Sequence, residues 1–171
     1  MQPHDQFMRI ALAEAEAALQ AGEFPVGCVL VRNGQVAASA RRQNSAGPGA
    51  NELDHAEVLA LRALLQANPG ADCREITVYS TMEPCLMCFA TLLLSGVRRF
   101  VWAYEDVMGG GTALPLKQLP ELYADMRVEL AAGVLRNEAL ALFQEFFRRY
   151  EYWQDSPLAR YTLAQPTGDI A

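Results

Sequence analysis

The chain has 171 residues, of which 51% are apolar and 20% are charged, and its formal net charge is −6. This length and composition fit one globular domain whose core needs no disulfide support. The sequence contains no run of about eighteen uncharged apolar residues, which excludes an ordinary membrane-spanning helix. The polar start at Met1–Gln6 lacks the features of a secretory signal. We therefore expect a cytoplasmic protein whose four cysteines are thiols or metal ligands.

The first half of the chain predicts a helix, a hairpin and a second helix. Apolar residues recur at helical spacing near the N-terminus, and Asn33-Gly34 is a strong signal for a tight hairpin turn. The predicted elements are a helix over 7–19, strands over 26–32 and 35–40, a loop over 44–53 and a helix over 55–67.

The second half predicts alternating strands and helices. The elements are a strand over 75–80, a helix over 85–95, a strand over 98–104, a glycine loop over 109–111, a short helix over 116–123, a strand over 126–131 and a helix over 137–153. A hairpin followed by strand–helix–strand units predicts a mixed sheet with helices on both faces. The predicted fold is a three-layer α/β/α sandwich with a five-stranded mixed sheet. We assign one domain to residues 1–156 and an irregular C-terminal tail to residues 157–171.

Two short motifs carry metal chemistry: His55-Ala56-Glu57 and Pro84-Cys85-Leu86-Met87-Cys88. The two cysteines are three apart in the first turn of a predicted helix, where unpaired backbone N–H groups favour a thiolate. Together with one imidazole they give three ligands for zinc. The chain has only one other histidine, His4, which lies in the N-terminal segment. We therefore predict that His55, Cys85 and Cys88 bind the metal.

Glu57 is the candidate proton carrier. Zinc with three protein ligands lowers the pKa of water, and a neighbouring carboxylate can take a proton and later deliver it to a leaving amine. Such a site suits the hydrolytic removal of an amino group from a ring carbon. Because His55 and Glu57 are only two residues apart, a regular helix would point them to different sides. The prediction therefore requires His55 to lie at the very start of the helix.

Other interpretations of the cysteines remain open. A Cys-x-x-Cys pair in an intracellular protein is also found in redox sites and in structural zinc sites. A closed structural site would need a fourth protein ligand, and Cys28 and Cys73 are the available cysteines. Cys28 lies within an apolar predicted strand, where a buried cysteine is an ordinary core residue.

The two motifs resemble those of the cytidine deaminase-like superfamily, whose signature is H-x-E followed by P-C-x-x-C. The resemblance covers most of residues 5–150 and is strongest to the branch of tRNA adenosine deaminases, guanine deaminases and cytosine deaminases. It implies one Zn²⁺ per chain, Glu57 as the catalytic residue and a homodimer. It also implies a set of substrate-binding residues: Asn44, Glu83, Pro84, Asp106 and Val26.

The sequence departs from the tRNA enzymes of this branch near the predicted pocket. They usually read Asp-Pro-Thr-Ala before His-Ala-Glu, whereas this chain reads Asn51-Glu52-Leu53-Asp54. Glu105 stands where those enzymes tend to carry a basic residue. We expect Asp54 and Glu105, together with Asp106, to make the pocket rim acidic and so to repel phosphate.

The charge balance favours a small substrate over a nucleic acid. Lys117 is the single lysine, and the arginine pairs at 41–42, 98–99 and 148–149 are scattered along the chain. The leading hypothesis is a zinc-dependent deaminase of a free nucleobase or nucleoside of the guanine, cytosine or adenine type. The alternatives are a tRNA-specific adenosine deaminase and a non-catalytic, zinc-stabilised binding module.

Overall fold

The secondary structure of residues 4–166, the part of the chain that the computed structural model describes, follows the predicted order of elements. The helices are α1 Asp5–Gln20, α2 Ala56–Ala67, α3 Leu86–Leu94, α4 Glu121–Ala124, α5 Arg136–Arg149 and α6 Pro157–Ala164. The strands are β1 Gly27–Arg32, β2 Gln35–Arg41, β3 Ile76–Met82, β4 Arg99–Tyr104 and β5 Glu129–Ala131. Short 3₁₀ turns occupy Cys73–Glu75 and Leu116–Gln118.

The strands form one mixed sheet in the order β2-β1-β3-β4-β5. β1 is antiparallel to β2 and β3, whereas β3, β4 and β5 are parallel to one another. Asn33 and Gly34 join β1 to β2, and both have the positive φ expected of a tight hairpin turn. Helix α1 packs against α5, and α2 packs against α3, so helices cover the sheet in two groups. The predicted three-layer sandwich with a five-stranded mixed sheet is confirmed.

Helix α1 crosses β1 at a point where only glycine fits. A Cβ atom on Gly27 would lie 2.0 Å from the carbonyl oxygen of Ala11 and 2.6 Å from the nitrogen of Ala15. Because the missing side chain lets the helix backbone reach the strand, Ala11 and Ala15 are fully buried in this contact. The contact fixes the start of β1, and Val26, the residue before it, lines the cleft described below.

The chain after α5 differs from the prediction. The helix ends at Arg149 and not at Trp153, because Tyr150 has an extended backbone with φ −126° and ψ 144°. The Tyr150 ring lies 5.0 Å from the ring of Phe146 and covers the apolar end of α5. The residues that follow form a turn instead of continuing the helix.

The prediction of an irregular tail over residues 157–171 is wrong for α6. Ser156 begins this helix, because its hydroxyl accepts a hydrogen bond from the Ala159 nitrogen at 3.0 Å and Pro157 occupies the first turn. Leu158 and Ala159 are buried, which gives the helix an apolar face to pack. Residues 167–171 lie outside the described part of the chain, and the division into a domain and a tail stays a prediction.

Buried polar contacts hold α6 against α5 and β4. The Gln144 amide nitrogen donates to the carbonyl oxygens of Thr162 at 3.1 Å and Gln165 at 2.9 Å. The hydroxyls of Tyr104 and Thr162 are 3.0 Å apart. Because these groups are buried, losing one partner leaves another polar atom without a hydrogen bond, which costs about 1–3 kcal/mol. Helix α6 is therefore an integral part of the fold.

Glu105, which directly follows β4, also links this strand to α5 and α6. Its carboxylate accepts hydrogen bonds from the Arg136 guanidinium, at 2.8 Å from Nε, and from the Tyr161 hydroxyl at 2.7 Å. Burial acts to raise the pKa of Glu105, but the hydrogen bonds from Arg136 and Tyr161 outweigh it, and the net effect is a lowered pKa. The ionised carboxylate therefore stabilises the fold.

We expect Glu105→Gln to lower the free energy of unfolding by about 1 kcal/mol at neutral pH. Because the pKa of Glu105 is lower in the folded state, this contribution is present above the unfolded-state pKa and is lost as pH falls through the folded-state pKa. The difference between wild type and variant should therefore shrink below about pH 4. Urea unfolding as a function of pH measures it. Glu145→Gln, which removes an exposed pair with Arg149, is the control, and an equal loss in both variants would contradict the prediction.

No helix within residues 4–166 combines the length and the apolar character that a membrane crossing requires. The cytoplasmic location stays a prediction from the sequence.

Candidate metal centre and active-site cleft

His55 and Cys85 occupy equivalent places in the fold, each immediately before a helix. His55 precedes α2 with φ −67° and ψ 145°, and Cys85 precedes α3 with φ −64° and ψ 170°. Because the backbone at His55 is extended, His55 and Glu57 are not related by helical spacing and can face the same site. Helices α2 and α3 pack together, so their N-termini bring the two motifs into contact.

The distances between the predicted ligands fit a zinc ion. The Nδ1 atom of His55 lies 3.6 Å from Sγ of Cys85 and 3.4 Å from Sγ of Cys88, and all three atoms lie within 4.8 Å of one another. Tetrahedral zinc with ordinary bond lengths separates its nitrogen and sulfur ligands by about 3.6 Å. Among the described residues, this is the one group of three or more side chains suited to holding a metal ion.

The other two cysteines lie outside this group. Cys28 is fully buried within β1, where burial raises the pKa of its thiol, and Cys73 is buried in a 3₁₀ turn. Within residues 4–166 the group therefore offers three protein ligands. Three ligands are typical of catalytic zinc sites, whereas structural sites use four. The arrangement weighs against the closed structural site that the sequence left open.

The cysteine pair provides a thiolate at neutral pH. A hydrogen bond from the Cys88 thiol lowers the pKa of Cys85 to about 4; burial opposes this shift, and the neighbouring His55 adds to it. The same hydrogen bond, together with burial, raises the pKa of Cys88 well above its usual value. Because zinc binds the thiolate form of cysteine, the low pKa of Cys85 suits a metal ligand.

Glu57 lies beside the ligand group and is only 3% exposed. The Ser80 hydroxyl on β3 donates a hydrogen bond to its Oε1 atom at 3.1 Å, and its Oε2 atom lies 3.5 Å from Sγ of Cys88. Burial raises the pKa of the Glu57 carboxyl, and the negative charge of Cys85 adds to this effect. A carboxyl group with a raised pKa next to a metal centre is suited to transferring protons.

A cleft with about 640 Å³ of space, part of it open to solvent, leads to this group. His55, Glu57 and Cys85 line it together with an apolar wall and several charged side chains. The apolar wall consists of Phe24, Val26, Met82, Met108 and Leu158. The other polar and aromatic lining residues are Arg42, Glu52, Glu83, Asp106, Tyr152 and Trp153.

Three of the residues predicted to bind substrate, Val26, Glu83 and Asp106, line the cleft. Two others, Asn44 and Pro84, are not among the described residues that line it. Asn44 has a positive φ of 53° on an exposed loop, and its amide donates to Oδ2 of Asp54 at 2.7 Å. Its contact with the substrate stays a prediction.

Arg42, which sequence reasoning did not select, lines the cleft. It follows β2 directly, and its backbone nitrogen donates to the Val26 carbonyl oxygen at 2.8 Å, which extends the pairing of β1 with β2. The pairing of β1 with β2 is the signal that places Arg42 here. Counting forward along the paired strands leads to Arg42, because the hydrogen bonds of the sheet fix the register.

The predicted rim residues Asp54 and Glu105 are also not among the described residues that line the cleft. Glu105 instead faces α5 and α6. Asp54 accepts hydrogen bonds from Asn51 at 2.8 Å and from Asn44, and these contacts lower the pKa of Asp54. It therefore orders the loop before α2.

Asp106 is the one predicted rim residue that lines the cleft, and the other acidic residues of the rim were not predicted. Glu52 and Asp106 line the cleft itself. Glu151 and Asp155 line a shallow depression that adjoins the cleft at Met108 and Trp153. Sequence reasoning did not assign Glu151 and Asp155 to the rim, because they lie in and after a segment that was predicted to be helical. Negative charge at the cleft mouth is thus present, and Asp106 is the predicted residue that contributes to it.

Glu83 and Asp106 both organise the loop that follows β4. Glu83 accepts hydrogen bonds from the Asp106 nitrogen at 3.2 Å and from the hydroxyl and backbone nitrogen of Thr112. Asp106 accepts hydrogen bonds from the nitrogens of Met108 at 3.0 Å and Gly109 at 2.9 Å. The two carboxylates therefore shape this side of the cleft, while their contact with a substrate stays a prediction.

Gly111 connects this loop to the turn that carries Cys85. Its nitrogen donates to the carbonyl oxygen of Pro84 at 2.9 Å. A Cβ atom at Gly111 would lie 2.7 Å from the Cα atom of Leu86 and 2.9 Å from the carbonyl carbon of Cys85. The glycine loop thus packs directly against the backbone of the metal-binding turn.

We expect Gly111→Ala to reduce zinc affinity by about tenfold, because the added methyl group pushes backbone atoms next to Cys85 out of place. Competition with a chromogenic zinc chelator measures the affinity. Gly49→Ala is the matched control, since a Cβ atom there meets nothing within 4 Å. Equal zinc affinity in the two variants would show that the loop does not support the metal-binding turn.

The fold and the site together define a class of protein, the zinc-dependent hydrolases that deaminate nucleobases and nucleosides. Residues 1–104 match the family model of the cytidine and deoxycytidylate deaminase zinc-binding region, and the chain belongs to this family. Its site thus combines a zinc-binding deaminase domain with a candidate zinc group at His55, Cys85 and Cys88.

The relatives of this chain include tRNA deaminases, and its structural neighbours include a guanine deaminase. The tRNA-specific adenosine deaminase of Bacillus subtilis (strain 168) is 32% identical over 165 residues, which cover 96% of this chain and 100% of the relative. A structure from a study of A-to-I editing by tRNA deaminases at the wobble position has a TM-score of 0.70 and 27% identity, covering 80% of this chain and 98% of that chain. The guanine deaminase of Nitrosomonas europaea shares the fold, with a TM-score of 0.68, 24% identity and 85% of each chain covered.

Proposed function

We propose that the protein removes the exocyclic amino group from a small free nucleobase or nucleoside. The observation that supports this choice is the charge of the cleft mouth. Glu52, Asp106, Glu151 and Asp155 line the cleft and the adjoining depression, whereas Arg42 is the one lysine or arginine among the described residues that line either. Because carboxylates repel phosphate, this mouth suits a substrate without a phosphate backbone.

Zinc, when bound by His55, Cys85 and Cys88, would make water a stronger nucleophile at neutral pH. Glu57 takes one proton from the attacking water and passes it to the ring nitrogen beside the reacting carbon. It then carries the remaining hydroxyl proton to the amino group, which leaves as ammonia while the carbon becomes a carbonyl. Ser80 holds the Glu57 carboxylate in place during both transfers.

The apolar wall of the cleft supports the binding of a flat ring. Phe24, Val26 and Leu158 provide apolar surface, and Tyr152 stacks on Trp153 with ring centroids 5.4 Å apart and a 16° angle between planes. Burying a heterocycle in such a cleft excludes water from all but the reacting side, which strengthens the electrostatic interactions with Glu57.

We expect Glu57→Gln to bind zinc with unchanged affinity but to lose at least about 10²-fold in turnover, because the amide cannot carry a proton. Zinc content and ammonia release measured on the same sample separate the two effects. Glu16→Gln, an exposed change on α1, serves as the control. Retained turnover in Glu57→Gln would remove Glu57 from its proposed role.

A second candidate function is the deamination of adenosine in tRNA. The observation that favours it is the 32% identity to a tRNA-specific adenosine deaminase over the whole length of that relative. A nucleotide flipped out of an RNA loop would use the same zinc group and the same carboxylate.

A panel of substrates distinguishes the two functions. We expect the zinc-loaded protein to release ammonia from at least one of guanine, cytosine, adenine or their nucleosides, and to bind an anticodon stem-loop RNA weakly at about 0.15 M salt, because its cleft mouth is acidic. Ammonia release from the RNA alone, with RNA affinity that falls steeply as salt rises, would support the tRNA function and reject the small-molecule proposal. Glu57→Gln is the blank for every substrate.

We also propose that the protein is a homodimer, as the resemblance to its family implies. On α3, Leu86 and Leu94 are 54% and 57% exposed, which leaves apolar side chains available for an interface.

A further inference from the structure

The second nitrogen of the His55 ring faces a carboxylate outside the metal group. Nε2 of His55 lies 3.4 Å from Oε2 of Glu52, while Nδ1 faces the sulfurs of Cys85 and Cys88. An imidazole that binds a metal through one nitrogen carries its proton on the other. A carboxylate that accepts a hydrogen bond from this N–H fixes the orientation of the ring and makes it a better ligand.

Glu52 is itself held by two further side chains. The Arg42 guanidinium lies 3.2 Å from Oε2, and the Tyr152 hydroxyl donates a hydrogen bond to Oε1 at 2.9 Å. The Glu52 side chain is 59% exposed. Without these contacts it would move among many rotamers, because ordering an exposed glutamate costs conformational entropy.

Arg42 is a rigid support for this contact. Its side chain is only 3% exposed, and its guanidinium donates hydrogen bonds to the carbonyl oxygens of Gln43 at 3.0 Å and Asn51 at 2.7 Å. These bonds fix Arg42 to both ends of the loop that precedes His55. An arginine held in this way presents its remaining N–H groups in a fixed direction.

Tyr152 brings the C-terminal part of the chain into the same network. It lies in the turn between α5 and α6, and its ring packs 5.9 Å from the ring of Phe24 and 6.1 Å from that of Phe146. Burial and the hydrogen bond to Glu52 raise the pKa of Tyr152 to about 12, so the hydroxyl keeps its proton and stays a donor at neutral pH. The packing of its ring against Phe24 and Phe146 thus holds the Tyr152 hydroxyl in position to contact Glu52.

We propose that Glu52 is a positioning residue for the zinc ligand His55, and that Arg42 and Tyr152 hold its carboxylate in place. The inference rests on the zinc group and not on which substrate the cleft accepts. Glu52 touches neither the metal nor the reacting atoms, so its effect appears in how tightly the protein holds zinc. A simple surface ion pair between Arg42 and Glu52 would leave zinc affinity unchanged.

The test compares zinc affinity in the full-length protein, by chelator competition at fixed pH, for wild type, Glu52→Ala, Glu52→Asp and Glu75→Gln. We expect Glu52→Ala to weaken zinc binding by about 10- to 100-fold, the usual effect of removing the hydrogen-bond partner of a metal ligand. Glu52→Asp keeps the charge but shortens the reach, so it should also bind zinc less tightly than wild type. Glu75→Gln, an exposed glutamate paired with Arg32 away from the site, is the charge control and should match wild type.

Two further measurements separate positioning from general stability. The zinc-free Glu52→Ala protein should still unfold in one cooperative transition well above the assay temperature, although the buried Arg42 guanidinium loses its carboxylate partner, and the visible spectrum of the cobalt-substituted variant should shift. Tyr152→Phe should weaken zinc binding in the wild-type background but add nothing to Glu52→Ala. Zinc affinity of Glu52→Ala within about twofold of wild type would overturn the proposal, and so would full affinity in Glu52→Asp, which would leave only a charge effect.

Discussion

The chemistry of this protein depends on two helix N-termini that meet. His55 and Cys85 each stand just before a helix, with extended backbone, and the two helices pack against each other. A helix N-terminus has unpaired N–H groups and a partial positive charge. Two helix N-termini that face the same point favour the ionised forms of cysteine and glutamate. Burial alone would make these charges unfavourable. Glu57 and Cys88, both nearly inaccessible to solvent, lie in the first turns of these helices.

The sheet places this meeting point at one edge of the fold. β3 leads into the turn before Cys85, and the loop after the neighbouring parallel strand β4 returns to pack on that turn through Gly111. The site therefore lies beyond the carboxyl ends of two adjacent parallel strands, where open α/β sheets commonly bind ligands. The hairpin supplies the opposite wall through Val26 and Arg42.

Sequence patterns predicted the parts of the molecule that follow local rules. The hairpin at Asn33-Gly34, the alternation of strands and helices and the metal-binding pair of cysteines all depend on short spacings that the sequence displays directly. The extended backbone at His55 was a condition set by the spacing of His55 and Glu57, and the structure meets it.

The missed features depend on packing between distant segments. Arg42 was not selected from the sequence, and the pairing of β1 with β2 places it at the cleft. Helix α5 ends at Tyr150, whose hydroxyl lies 3.5 Å from the carbonyl oxygen of Leu19 in α1, a contact that no local pattern reveals. The start of α6 did have a local signal, because Ser156-Pro157 is a typical helix beginning.

The cleft is built from two parts of the chain with different tasks. The metal ligands and the carboxylate belong to residues 55–88, whereas much of the outer wall comes from Asp106, Met108 and the segment from Tyr152 to Leu158. Most of the outer-wall residues can be substituted without altering a contact to a metal ligand. The outer wall can therefore differ between proteins of this fold while the reacting groups at the floor of the cleft stay the same. Tyr152 is the exception, because its hydrogen bond to Glu52 links one residue of the outer wall to the metal site.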